Sequence, residues 1–240
     1  MNEIKVLIFD LDNTLINYGG VTQQAWQLTS KKLCENFDLE IDDQIIANEI
    51  IRVNNLIWED EDRRPKGNFS FYELRKSIVR EALDNLNMKN QDMCEFLVQN
   101  YSYYKHQAVY VFEDVKDTLK ELRKRGYTIA LLTNGDTKMQ REKLDRFGLE
   151  KYFDGIFIDG EQGVGKPERK AYENVLKYFH VEASEAWMIG DHYLWEVVAP
   201  INYGLHAIWV KRFGSIVPDN ITVKADYVID NIAEILTLIP

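Results

Sequence analysis

Residues 4–14 decide the fold, and they read Ile4-Lys5-Val6-Leu7-Ile8-Phe9-Asp10-Leu11-Asp12-Asn13-Thr14. The first six are mostly β-branched or large and apolar, which is typical of a buried strand. The strand ends abruptly at Asp10 and Asp12, so two carboxyl groups stand just beyond it. We therefore expect the chemistry of this protein to begin where its first strand ends.

Helices and strands alternate after Phe112. The pattern predicts strands at 128–132, 155–158, 186–189, 205–210 and 227–229. It predicts helices at 115–125, 168–179 and 195–203, and a further helix that follows the strand at 128–132 and ends at residue 147. Such alternation predicts an α/β fold, a doubly wound, Rossmann-like parallel sheet with helices on both faces. Ligands of such sheets bind at the carboxyl ends of the strands.

A different pattern occupies residues 21–106, where apolar residues recur at helical spacing without strand alternation. Pro65 and Gly67 interrupt this pattern and divide it into two helix pairs. Trp26, Phe37 and Phe96 stand at core positions of these helices, which favours packing over ligand stacking. We predict a catalytic core from residues 1–16 and 107–240, with an inserted α-helical bundle from 17–106.

Composition excludes several classes of protein. The 240 residues are 45% hydrophobic, enough for a substantial core, and a net charge of −10 disfavours a nucleic acid polymer as partner. No apolar stretch is long enough to span a membrane, and the run at 4–9 is too short for a signal peptide core. Cys34 and Cys94 suggest neither a disulfide framework nor a zinc site, so the cytoplasm is the expected location.

Polar groups follow four of the predicted strands. They are Asp10 with Asp12, Thr133-Asn134-Gly135, Lys166-Pro167, and Gly190-Asp191. Each group alone is ordinary turn sequence. Because the carboxyl ends of parallel strands meet at one crevice, we expect the four groups to share one site.

With these motifs, nearly the whole chain resembles the haloacid dehalogenase superfamily. The matching segments are Asp10-Leu11-Asp12-Asn13-Thr14, Leu132-Thr133-Asn134-Gly135, Gly165-Lys166-Pro167, and Gly190-Asp191 with Glu196 behind it. In that family an aspartate at the position of Asp12 is typical of phosphatases and phosphomutases, whereas dehalogenases carry other residues. The resemblance therefore implies phosphoryl transfer.

The resemblance also implies a role for each matched residue. Asp10 would be the nucleophile that forms an aspartyl-phosphate, and Asp12 would be the general acid and then the general base. Lys166, the Thr133 hydroxyl and the Asn134 backbone N–H would bind the phosphoryl oxygens. Thr14 is expected to stabilise the turn rather than to touch substrate.

A Mg²⁺ ion is the implied cofactor, because it neutralises both the carboxylate and the phosphate and prefers hard oxygen ligands. Asp10, the backbone carbonyl of Asp12 and Asp191 would be its ligands. Glu196 stands where an aspartate is more usual, and we expect it to act through water or from behind the ligands.

The helical insert resembles the helical-bundle cap of the same superfamily, which closes over the crevice and selects the leaving group. The insert resembles the caps of a subgroup of phosphatases that act on nucleoside monophosphates or acylated amino-sugar phosphates. The segments that carry this resemblance are Trp58-Glu59-Asp60, Gly67, Glu73-Leu74-Arg75 and Arg80. Trp58, near a helix end beside a polar loop, is the cap residue expected to contact substrate.

The predicted function is Mg²⁺-dependent hydrolysis of a small-molecule phosphomonoester, a nucleotide or a sugar phosphate, by a monomer or homodimer. Two alternatives stay open: a phosphomutase of the same family, and a catalytically silent module that binds phosphate esters. The intact set Asp10, Asp12, Lys166 and Asp191 argues against the silent module.

Overall fold

The structure is a computed structural model that describes residues 4–60, 62–63, 70–212, 217 and 220–239. Within these residues the chain forms two compact units. The core unit comprises the described residues of Met1–Tyr18 and Tyr110–Pro240, and the helical unit comprises those of Gly19–Val109. Each unit has a buried apolar cluster of its own.

The described part of the helical unit folds into four helices. They are α1 (Thr22–Phe37), α2 (Asp43–Glu59), α3 (Phe71–Asn85) and α4 (Gln91–Ala108). The last three begin at Asp42, Ser70 and Asn90, whose side-chain oxygens accept hydrogen bonds from backbone N–H groups of the first turn. These caps satisfy donors that a helix start leaves unpaired.

Aromatic residues pack inside the helical unit, as their spacing predicts. The rings of Trp26 and Tyr101 stack with centroids 3.9 Å apart, and Phe37 meets Phe96 edge to face at 5.9 Å. Trp58 belongs to α2, but its side chain, and with it the predicted substrate contact, lies outside the described residues. Gly67 of the cap signature lies outside them as well.

The described part of the core unit contains eight strands and six α-helices. The strands are β1 (Val6–Phe9), β2 (Ile16–Asn17), β3 (Tyr110–Val111), β4 (Thr128–Thr133), β5 (Gly155–Ile158), β6 (Ala186–Gly190), β7 (His206–Val210) and β8 (Tyr227–Ile229). The helices are α5 (Val115–Lys124), α6 (Thr137–Phe147), α7 (Asp159–Gln162), α8 (Arg169–Phe179), α9 (Ala199–Asn202) and α10 (Ile235–Leu238).

Six of these strands form one parallel sheet in the order β5-β4-β1-β6-β7-β8, and β2 pairs with β3 in a small antiparallel ribbon. The predicted Rossmann-like α/β fold is thereby confirmed, while the ribbon was not foreseen. Its strands are two residues long, too short for the alternation that marks a strand in sequence.

The first strand lies in the middle of the sheet. Phe9 pairs with Leu131 of β4 on one side and with Ile189 of β6 on the other. All four residues of β1 are fully buried, as the continuous apolar run predicts. After β1 the chain adds β4 and β5 on one side of it and then β6, β7 and β8 on the other. Asp10, directly after β1, therefore emerges at the topological switch point.

The helix predicted over 195–203 is not a single α-helix. Residues Tyr193–Val198 form a π-helical turn, and α9 follows with Pro200 in its first turn. Because α9 continues directly from this turn, Pro200 lies within a helical run and lacks the N–H that would bond to the preceding turn. The expectation of a short or bent helix around Pro200 agrees with this geometry, but the π-helical turn was not foreseen.

Cys34 and Cys94 are both free thiols. Cys94 is buried between α3 and α4, where its Sγ donates to the carbonyl oxygen of Lys76 at 3.8 Å. Among the described residues, no helix has both the length and the apolar composition needed to cross a bilayer.

Candidate active site

A buried lysine between two carboxylates stands at the centre of the site. Lys166 Nζ donates to Asp10 Oδ1 at 2.7 Å and to Glu196 Oε1 at 2.7 Å. The side chains of Lys166, Asp10 and Glu196 are only 1%, 8% and 1% exposed, respectively. Burial alone would lower the pKa of Lys166, but the charges of Asp10 and Glu196 outweigh it and raise that pKa above its usual range. Lys166 is therefore a permanent cation beside Asp10.

Thr14 ties the end of β1 to the end of β6. Its hydroxyl donates to Asp10 Oδ2 at 3.0 Å and accepts from the backbone N–H of Asp191 at 3.1 Å. The turn passes through Asn13, whose φ of 65° is left-handed, a conformation that asparagine adopts more readily than most residues. With Lys166 on one oxygen and Thr14 on the other, the Asp10 carboxylate is held in one orientation.

Asn134, directly after β4, fixes the backbone that carries Lys166. Its Oδ1 accepts from the Lys166 backbone N–H at 2.8 Å, and its Nδ2 donates to the Lys166 carbonyl oxygen at 2.7 Å. This contact requires glycine at position 165, because a Cβ on Gly165 would lie 2.8 Å from Asn134 Oδ1. The Asn134 side chain thus positions Lys166, in addition to the phosphate contact predicted for its backbone N–H.

Two side chains of α6 hold the carboxylate of Asp12. Lys143 Nζ donates to both of its oxygens at 2.8 Å, and Gln140 Nε2 donates to Oδ2 at 3.1 Å. Gln140 Nε2 also lies 2.7 Å from Thr133 Oγ1 and 2.8 Å from the carbonyl oxygen of Asn134. Gln140 therefore joins Asp12 to the two residues predicted to bind phosphate.

Glu196 reaches Lys166 from the π-helical turn, in a direct contact that sequence reasoning did not foresee. The backbone of Gly190 lies so close that a Cβ there would be 2.1 Å from Glu196 Cγ. Any side chain at position 190 would therefore displace Glu196. Among the described residues, Glu196 Oε2 is buried without a hydrogen-bond partner, which costs free energy unless an ion or a water occupies the place of that partner.

Asp191 follows β6 and lies within electrostatic reach of Asp10. Burial, with the charge of Asp10 adding to it, raises the pKa of Asp191 to about 7. Lys166 and a hydrogen bond from Asn13 act in the opposite direction. When ionised, the three carboxylates of Asp10, Asp191 and Glu196 face one buried ammonium, so two negative charges stay uncompensated.

These residues fit a divalent cation. A donor set made only of oxygen, whose ionised charge exceeds that of Lys166, suits a hard ion such as Mg²⁺. Within the part of the chain that the structure describes, no three or more His, Cys, Asp or Glu side chains are arranged as a metal cluster. A cation here would therefore need a backbone carbonyl and waters beside its carboxylate ligands.

The predicted site residues of the core unit form two connected groups. Around Lys166 lie Asp10, Asp191 and Glu196, and around Gln140 lie Asp12, Thr133 and Asn134. The contact between Asn134 and the Lys166 backbone joins the two groups. The four motifs thus meet at one edge of the sheet, as their places after the strands predict.

Gln140 and Lys143 are the site residues that sequence reasoning missed. Both are buried on the same face of α6 as Leu144. A polar pair at a spacing of three on the apolar stripe of a helix is the signal that would have found them, because buried polar groups require partners.

The fold and the site together define a class: a Rossmann-like α/β enzyme with carboxylates and a lysine gathered at the switch point of its sheet. Residues 4–198 match the family described as haloacid dehalogenase-like hydrolase. The chain therefore belongs to the haloacid dehalogenase-like hydrolase family. The resemblance drawn from the motifs is confirmed.

Two phosphatases are similar along the whole chain. N-acylneuraminate-9-phosphatase of Homo sapiens is 29% identical over 246 residues, which cover 100% of this chain and 95% of that protein. Glyceraldehyde 3-phosphate phosphatase of Pyrococcus furiosus is 29% identical over 244 residues, with 100% and 94% covered. These relatives agree with the predicted class of enzyme, a phosphoric monoester hydrolase.

A solved structure gives the same fold. The HAD-hydrolase YfnB from Bacillus subtilis, bound to magnesium, matches with a TM-score of 0.75 at 19% identity and covers 98% of both chains. At this level of identity, the likeness concerns the fold alone.

Proposed function

We propose that this protein is a Mg²⁺-dependent phosphatase that moves the phosphoryl group of a small phosphomonoester onto Asp10 and then onto water. The observation that carries this proposal is the fixed, buried carboxylate of Asp10 between Lys166 and Thr14. A carboxylate so oriented can attack phosphorus with little loss of conformational freedom. Lys166 offsets the charge of this carboxylate and of the incoming phosphate.

Asp12 supplies the proton transfers. Its side chain keeps 25% exposure while Asp10 keeps 8%, so Asp12 is the more accessible of the two early carboxyl groups. As an acid it protonates the leaving oxygen, and as a base it then takes a proton from the attacking water. Thr133 and the backbone N–H of Asn134 donate to the phosphoryl oxygens beside Lys166.

The carboxylates of Asp10 and Asp191 and the backbone carbonyl of Asp12 would hold Mg²⁺. Bound there, the ion would neutralise charge on the phosphoryl group and on its attacking carboxylate. Glu196 stays paired with Lys166, behind these ligands. The magnesium bound to YfnB supports this choice of ion.

The substrate is a small phosphate ester, and we favour a sugar phosphate over a nucleotide. The names of the two relatives support this preference, since they refer to phosphates of an N-acylneuraminate and of glyceraldehyde. The helical unit, in the role of a cap, would select among such esters.

A phosphate-release assay tests this function. Purified protein with Mg²⁺ is expected to liberate inorganic phosphate from p-nitrophenyl phosphate, EDTA to stop the reaction, and renewed Mg²⁺ to restore it. A panel of sugar, nucleotide and three-carbon phosphates, compared by kcat/KM, then ranks the substrates. Full activity in EDTA would remove the metal from the mechanism.

The same assay separates the alternatives. A phosphomutase would convert a sugar phosphate into an isomer with little release of free phosphate. A silent module would bind phosphate esters and release none with any member of the panel. Either result would contradict the proposed phosphatase.

Mg²⁺ binding is expected to become more stabilising as pH rises. The pKa of Asp191 is about 7 in the folded protein, above its ordinary value of 3.8, so the folded state holds this proton more tightly than the unfolded state. The metal-free protein should therefore lose stability as pH rises from about 4 to about 7, and Glu196, whose pKa burial raises to about 8, adds to this loss. Mg²⁺, which prefers the ionised carboxylate, should reverse that loss.

Thermal denaturation at about pH 5 and about pH 8, with and without Mg²⁺, measures this effect. The rise in Tm on adding Mg²⁺ should be several times larger at the higher pH. An Asp191→Asn variant is the control, because it removes this carboxylate and should reduce the difference in the Mg²⁺ effect between the two pH values. An equal Mg²⁺ effect at both pH values in the wild type would contradict the assignment of Asp191 as a ligand.

A further inference from the structure

The carboxylate of Asp12 is bound by two side-chain donors. Lys143 Nζ contacts both carboxylate oxygens at 2.8 Å, and Gln140 Nε2 contacts Oδ2 at 3.1 Å. Both donors come from α6, and neither belongs to the four motifs that follow the strands. The general acid and base of the proposed reaction is therefore held by residues far from it in sequence.

Lys143 is buried between the carboxylate of Asp12 and an aromatic ring. Its side chain is only 7% exposed, and its Nζ lies 3.7 Å from the centroid of the Tyr18 ring. The face of an aromatic ring attracts an ammonium group. Burying a lysine costs free energy that one partly exposed carboxylate partner only partly repays, so stability alone gives a weak reason for this arrangement.

Gln140 places Asp12 relative to the phosphate-binding residues. The same Nε2 that contacts Asp12 lies within hydrogen-bond distance of Thr133 Oγ1 and of the Asn134 carbonyl oxygen. Gln140 is 1% exposed, so its amide cannot swing into solvent. The position of the Asp12 carboxylate is thus fixed relative to the end of β4.

Asp12 needs such fixation because of its place in the chain. Its side chain projects from the turn beyond β1 and keeps 25% of its exposure, so without anchors it could adopt several rotamers in solvent. A general acid must lie within hydrogen-bond reach of the leaving oxygen, and an error of about 1 Å costs about 100-fold in rate.

We infer that Lys143 and Gln140 are positioning residues that hold Asp12 where it can protonate the leaving group. This inference rests on the proposed function and deepens it: the acid and base is a unit of three side chains, two of them on α6. It predicts that loss of Lys143 lowers kcat/KM most for esters whose leaving group must be protonated, and least for esters whose leaving group departs without a proton.

The test compares two substrates in Lys143→Met. An alkyl phosphate such as glycerol phosphate has a leaving group that needs the proton, whereas p-nitrophenyl phosphate does not. With Mg²⁺ present, kcat/KM should fall about 100-fold for the alkyl ester and less than about 5-fold for the aryl ester. Lys138→Met on the same helix, with a side chain 85% exposed, is the matched control and should leave both values unchanged.

A double-mutant cycle with Asp12→Asn makes the test specific. If Lys143 acts through Asp12, adding Lys143→Met to Asp12→Asn should cost less than about 3-fold further for the alkyl ester. The double variant also lacks the unpaired carboxylate that Lys143→Met leaves behind, so it should denature at a higher temperature than that single variant. The cycle therefore stays informative even when Lys143→Met folds poorly.

Equal losses of kcat/KM on the two esters would overturn the inference, and so would a full additional loss in the Asp12→Asn background. Neither result would contradict the proposed phosphatase function. A wild-type protein that releases no phosphate from these two esters or from any member of the substrate panel would instead overturn the proposed function, and this inference with it.

Discussion

Asp10→Asn is expected to lower kcat for phosphate release by a factor on the order of 10⁶, the scale seen when a covalent nucleophile is removed. An amide has nearly the shape of the carboxylate and can still accept from Lys166, so the variant should fold. It lacks the charge and the basicity that attack on phosphorus requires. Mass spectrometry after acid quench should find the added phosphoryl group on Asp10 of the wild type and none in the variant.

Asp117→Asn is the matched control for this experiment. Asp117 lies on α5 in the same unit, its side chain is 88% exposed, and its partner is Lys120 on the protein surface. This substitution should leave kcat within about 2-fold, since such surface pairs contribute little. Asp10→Asn turnover within tenfold of the wild type would show that another group attacks the phosphate.

Lys166→Met is expected to destabilise the fold by about 3–5 kcal/mol and to abolish turnover. The substitution leaves Asp10 and Glu196 buried without their shared cation. Protonation of Glu196, whose pKa burial raises to about 8, would relieve the repulsion, so the loss of stability should shrink as pH falls below that value. Urea denaturation at two pH values measures both the size and the pH dependence of the loss.

Two further variants complete this experiment. Lys170→Met removes an exposed lysine next to the same loop and should change stability by less than about 0.5 kcal/mol. Lys166→Met combined with Glu196→Gln removes one of the stranded charges, so part of the lost stability should return. A Lys166→Met protein as stable as the wild type would mean that the carboxylates do not depend on this ammonium.

The elements that sequence predicts well are those whose signal is local. The buried strand that ends at Asp10, and the alternating helices and strands beyond Phe112, follow from residue type and periodicity alone. The convergence of Asp10, Lys166 and Asp191 also followed, because the order of strands in a doubly wound sheet brings their ends together.

The parts that sequence did not reveal depend on side-chain geometry across long separations. Lys143 and Asp12 are 131 positions apart, and Lys166 and Glu196 are 30 apart. Whether such groups touch depends on rotamers and on how helices pack against the sheet, for which a single sequence carries no periodic signal. The contact of the Asn134 side chain with the Lys166 backbone was hidden for the same reason.

The π-helical turn at Tyr193–Val198 shows a further limit. Its residues have the pattern of an ordinary amphipathic helix, and Pro200 was the residue that indicated a short or bent one. A π-helical turn widens the backbone, which changes where each side chain points. The direct reach of Glu196 to Lys166 therefore depended on a conformation that residue type does not predict.

The order of strands in the sheet bears on how the protein is made. β1 is synthesised before both of its partners, β4 and β6, which come after residue 127. A nascent chain must therefore carry a wholly apolar segment without a sheet neighbour while the helical unit, a continuous stretch, emerges and packs. The carboxylate of Asp10, the proposed nucleophile, gains its fixed surroundings only once β6 and the residues after it have been synthesised. A prematurely shortened chain would therefore expose an aggregation-prone strand without completing the candidate site.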